Sequence, residues 1–265
     1  MPSVDLTRLN AQIEALFSAS VKPAIFIRNL NALLQLYSHQ AYSAGTGVNA
    51  TSSMNAYRVP DAVMAAFEKR IISWAENNSK SSIPIADTLW LLPQVENKHL
   101  ALLILASQPI EAAQKVLWRV NRWMLEENDS SIQRELIMTG CSGLLDQQPQ
   151  AFLNQVLRWL AHSDVPTFKA GLIGLLMISQ HEGLRDDPLV LDMLQEILEK
   201  ISLEYQAVLF EILESLIPRH PAECASVITN ALVKNPSYTA RKLARRSLDL
   251  FPEPYAKVVH LALKG

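Results

Sequence analysis

A chain of 265 residues, 49% of them apolar, holds enough hydrophobic surface for a continuous core, and a charged share of 19% is too low for a disordered chain. The net charge of −2 excludes a uniformly basic nucleic-acid-binding domain and leaves room only for a local patch. Eight glycines are too few for a β-rich or glycine-loop fold, and two cysteines, Cys141 and Cys224, read as buried small hydrophobes rather than a disulfide or metal pair.

In chain order, Asp5 to Ala19 reads as a first helix with Leu6, Leu9, Ile13, Leu16 and Phe17 on one stripe. Pro23 opens a second, carrying Ile25, Ile27, Leu30, Leu33, Leu34 and Tyr37. Residues 43–53 are small and polar, with two glycines, and predict a loop. From Val59-Pro60-Asp61 onward the periodicity predicts helices near 61–77, 85–92, 96–107, 109–126, 131–145, 149–162, 166–180, 188–200, 203–217, 221–233, 238–250 and 254–263. Gly171 and Gly174, three apart on one helix, predict a close helix crossing. The tryptophans Trp74, Trp90, Trp118, Trp123 and Trp159 read as core or core-edge by helical spacing.

Five prolines set the organisation. Pro109, Pro149, Pro188, Pro221 and Pro254 stand 40, 39, 33 and 33 residues apart, each opening a helical stretch. Proline suits the first turn of a helix, where its missing N–H has no intrahelical partner to lose. One such helix per 33 to 40 residues, with a second helix between, marks a stacked array of helical hairpins. The expected fold is therefore all-α, a right-handed α–α superhelix. Its expected domains are an N-terminal helical cap plus loop over 1–55 and one continuous array over 56–265.

Basic residues supply the candidate binding surface. Lys115, Arg119 and Arg122 fall at i, i+4 and i+7 on one helix face. Arg158, Lys169, Lys234 and Lys257 follow on later helices, although Asp192, Glu196 and Glu199 interrupt the track with negative charge. Arg241, Lys242, Arg245 and Arg246 form a denser cluster, whose mutual repulsion an anionic partner relieves. The six histidines show no metal-ligand spacing, and no phosphate loop, Cys-x-x-Cys or nucleophile elbow occurs. No cofactor, no metal and no membrane contact is expected; no apolar run reaches membrane-span length, and no basic-then-apolar leader opens the chain. The expected location is cytoplasmic.

Five stretches stand out in order: Tyr57-Arg58-Val59-Pro60-Asp61, Leu89-Trp90-Leu91-Leu92-Pro93-Gln94-Val95-Glu96 followed by His99-Leu100-Ala101-Leu102, Gln148-Pro149-Gln150, Leu157-Arg158-Trp159-Leu160-Ala161-His162-Ser163-Asp164, and Arg241-Lys242 with Arg245. Together they resemble the AlkD-like DNA alkylation repair proteins, a family of HEAT-like repeats. The likeness covers roughly residues 55 to 260 and rests on their order and spacing. It implies a HEAT/ARM-like solenoid with a concave, positively charged groove for duplex DNA. In active family members two tryptophans and an aspartate line that groove and stabilise a cationic transition state. Asp129 stands near the position of that aspartate and also suits the N-cap of the helix after it. Both tryptophans are missing from the corresponding stretches, Glu126 to Ser131 and Ala207 to Ile212. The resemblance therefore implies a non-catalytic protein binding DNA or another polyanion. An active alkylpurine DNA glycosylase using Asp129 and a protein–protein scaffold are the alternatives.

Overall fold

A computed structural model describes residues 5–18, 22–42, 55–181, 187–199, 202–234 and 237–264. The loop expected at 43–53 lies outside them. The fold is all-α, and no strand occurs among the described residues. The chain forms two compact units, Met1–Gln147 and Gln148–Gly265.

The first unit begins with α1 (Leu6–Ser18) and α2 (Pro23–Tyr42), followed by α3 (Asp61–Asn77), α4 (Ser79–Trp90) and α5 (Val95–Ala106). After a 3-10 turn at Ile110–Ala112 come α6 (Ala113–Glu126), α7 (Ser130–Met138) and α8 (Ser142–Gln147). From α1 to α5 each helix packs on the next but one: α1 on α3, α2 on α4, α3 on α5. Asp5 starts α1 by accepting the Arg8 N–H at 3.0 Å. Leu9, Ile13, Leu16 and Phe17 then face inward, where Phe17, Phe26 and Trp74 pack ring on ring. Ahead of α3, Arg58 adopts a left-handed φ of 57°. The Tyr57 and Arg58 N–H groups both donate to the Glu96 carboxylate, at 3.0 and 2.7 Å, so the segment leading into α3 is strapped to the first turn of α5.

Two elements differ from expectation. α4 starts at Ser79 and runs through Pro84, instead of starting after it. Pro84 and Lys80 both lie on the solvent side, so water can satisfy the carbonyl that the proline leaves without a donor. The single helix expected over 131–145 is two, broken at 139–141. Beyond the break, a Cβ on Gly143 would lie 1.8 Å from the Ala106 carbonyl oxygen, so only glycine lets α8 dock on the end of α5.

The second unit comprises α9 (Pro149–Leu160), α10 (Val165–Gln180), α11 (Asp187–Leu198), a 3-10 turn at Leu203–Tyr205, α12 (Gln206–Leu216), α13 (Pro221–Lys234), α14 (Tyr238–Ser247), a turn at Leu248–Leu250 and α15 (Glu253–Lys264). Pro149 and Pro221 are the first residues of their helices, as the proline spacing predicts. Each helix from α10 again packs on the next but one, α10 on α12 through α13 on α15. α10 is buried on every side from Ala170 to Ser179. Each of its fully buried Leu and Ile side chains contributes about 1.5–3 kcal/mol. Gly174 lets it lie against α9, because a Cβ there would meet the Val156 methyl at 2.5 Å. At its end the Ser179 and Ser215 hydroxyls hydrogen-bond at 2.7 Å, and Arg219 donates to the Ser179 carbonyl at 2.9 Å.

Candidate anion-binding face

Both arginines of α6 are paired with carboxylates. Arg119 forks onto Asp87 of α4, with Nε and Nη2 each 2.7 Å from a carboxylate oxygen. Such a bidentate pair fixes the guanidinium plane and cancels its charge locally. Arg122 bonds Glu126 one turn on, at 2.7 Å, and that bond pushes its pKa further above the ordinary arginine value. Both guanidiniums lie over the Trp118 ring, 5.4 and 5.6 Å from its centroid. Trp118 itself is 55% exposed, a correction to its reading as core or core-edge; Trp74, Trp90, Trp123 and Trp159 are buried. Lys115 is exposed one turn before Arg119 and makes no ion pair among the described residues.

Asp129 caps α7. Its Oδ1 accepts the N–H groups of Ser131 and Ile132, at 2.8 and 3.2 Å. Beside it Glu127 accepts the N–H groups of Asn128 and Asp129 and pairs with Lys98, whose ammonium lies 5.0 Å from the Trp90 ring centroid. Trp90 stacks on Trp123 with centroids 4.5 Å apart and planes 5° from parallel. Asp129 thus holds the start of α7, the cap role that its place in the sequence also suits.

One cluster in the first unit was not apparent from the sequence. His99 on α5 is held at both ring nitrogens, by Glu135 of α7 at Nδ1 and by Glu68 of α3 at Nε2, the latter at 3.0 Å. Carboxylates only accept, so both nitrogens must carry protons and the ring is an imidazolium. The hydrogen bond that His99 donates to Glu135 is the main cause that raises its pKa above 6.5, against an opposing desolvation.

In the second unit the candidates separate into different environments. Arg158 stands exposed in the last turn of α9, and Lys169 is half-buried on α10. Lys234 pairs with Glu199 at 2.6 Å and Lys257 with Glu253 at 2.7 Å, while Asp192 and Glu196 are exposed on α11. α14 carries the one dense cluster, and the structure divides it. Its buried side is small, Thr239, Ala240, Leu243, Ala244 and Ser247, and seats it against its neighbours α12, α13 and α15. Ser237 caps its start by accepting the Ala240 N–H at 3.1 Å. Arg241 is part-buried and donates to the Leu263 carbonyl at 3.2 Å, so it serves the end of α15. Lys242, Arg245 and Arg246 are exposed and make no ion pair among the described residues, Asp249 included. The Arg246 guanidinium rests on the Phe210 ring of α12, 3.9 Å from its centroid. Tyr238, one turn before Lys242, is 68% exposed on the same stripe; the i, i+4 spacing could have flagged it.

Three like charges on two turns, unneutralised by neighbours, form a surface whose repulsion falls when an anion arrives. Among the described residues no group of His, Cys, Asp and Glu has a metal-binding arrangement. Compared with known proteins, the chain matches no family model, no curated protein and no solved structure.

Proposed function

We propose that this chain is a non-catalytic binding protein, a right-handed superhelix of HEAT-like pairs related to the AlkD-like proteins, that holds DNA or another polyanion in the cytoplasm. The observation that carries the reading is the α14 face, where Lys242, Arg245 and Arg246 stand exposed without acidic partners. Each is positioned to neutralise a phosphate and release a counterion. Arg119 and Arg122 contribute less, since Asp87 and Glu126 already neutralise them. Catalysis is left out because Asp129 is engaged by the first turn of α7.

A salt-titrated binding assay on duplex DNA tests this. Three phosphate contacts give a slope of log affinity against log salt of about −3, and Arg245→Glu with Arg246→Glu flattens it by about two units on any sequence. A double reversal that binds like the wild type removes α14 from the account. No binding even at low salt favours a protein–protein scaffold. Incubation with alkylated DNA gives the remaining check: release of free base that disappears in Asp129→Asn would promote the glycosylase alternative.

A further inference from the structure

The α14 face contains more than charge. Tyr238, Lys242, Arg245 and Arg246 follow one another at i, i+4, i+7 and i+8, so an aromatic ring and three cations lie along one stripe. At 1.5 Å of rise per residue the stripe extends about 12 Å along the helix. Tyr238 is 68% exposed and stacks on no other ring among the described residues. Arg246 is different: its guanidinium carbon rests 3.9 Å from the centroid of the Phe210 ring, a cation–π contact that restrains it. Arg241 is turned to the end of α15 and belongs to the support. The face therefore presents an unstacked ring at one end, a ring-supported guanidinium at the other, and two exposed cations between.

Resting on the polyanion reading, we propose that this face takes a single strand of nucleic acid, with one base stacked on Tyr238 and successive phosphates on Lys242, Arg245 and Arg246. A phosphate-only surface has no use for an exposed ring. A duplex shows an approaching helix its phosphates and sugars, while its base faces are stacked on one another. A single strand shows both parts at once, a charged backbone and open base faces, and a ring in line with cations fits that combination. Acidic protein or lipid headgroups match the cations and leave Tyr238 without a partner.

Fluorescence anisotropy on the full chain separates these cases, with labelled oligothymidylate of about 15 nucleotides against a duplex of the same length. The single strand should bind more tightly. Tyr238→Ala should weaken it roughly 5- to 150-fold, with the salt slope unchanged and the duplex unaffected. Tyr238→Phe keeps the ring and should bind like the wild type. Arg245→Glu with Arg246→Glu should flatten the salt slope for both ligands. Because Tyr238 is exposed, circular dichroism and Tm of its variants should match the wild type, so lost affinity reports contact and not misfolding. Wild-type affinity of Tyr238→Ala for oligothymidylate, or a wild type that prefers the duplex, overturns the proposal and leaves the polyanion reading standing. Binding of neither ligand at low salt sinks both.

Discussion

Asp129 has two readings with different consequences for its substitution. As an N-cap it serves through acceptor oxygens, and asparagine offers nearly the same acceptor. Asp129→Asn should therefore leave stability within a few tenths of a kcal/mol, whereas Asp129→Ala should cost about 1 kcal/mol. Urea denaturation of the two variants checks this; equal losses would mean that the negative charge matters and not the Ser131 and Ile132 bonds. The same distinction between chemistry and position applies at Cys141. It is fully buried, and burial pushes its thiol up to about 12, so it packs as a small apolar group. Residue identity alone could not separate these roles. Trp118 and Trp123 share a helix, yet one is exposed between two guanidiniums and the other is stacked inside.

Among the elements, α3, α5 and α7 are joined by a charge. Glu68 faces His99 from α3 and Glu135 from α7, and Lys98, the residue before His99, pairs with Glu127. The folded pKa of His99 is raised, so its contribution to stability is complete below the unfolded value of about 6.5 and is lost as pH rises through the folded value. Wild-type stability should thus fall relative to His99→Gln between mildly acid and mildly alkaline pH, followed by tryptophan fluorescence in urea. An equal gap between the two proteins at both pH values would rule out the charged ring as the tie. Much of this element structure was legible locally. Pro149 and Pro221 start helices because a fixed φ and a missing N–H suit a first turn. Pro84 has the same chemistry and stops nothing, because Ile83, Ile85, Ala86, Leu89 and Trp90 around it are buried. The break before α8 was not legible, since the Ala106 carbonyl that demands Gly143 belongs to a distant stretch of chain.

For the molecule as a whole, helical spacing showed which cations share a face but not which are neutralised. Lys242, Arg245 and Arg246 were legible on α14, whereas Asp87 disarms Arg119 from another helix and the Leu263 carbonyl diverts Arg241 from beyond the next turn. The unneutralised trio also matters when no ligand is present. With a net charge of −2 and a sequence pI near 6.3, the residues outside this trio carry the acid excess. Near pH 6.3 no net repulsion keeps copies apart, and the basic face of α14 on one attracts acidic residues of another. At low ionic strength the purified protein should therefore turn turbid near that pH, and added salt should clear it by screening. Arg245→Glu with Arg246→Glu should stay clear without salt at the same pH. Static light scattering across a salt series decides it: turbidity that grows with salt would point to apolar contacts as the cause of association.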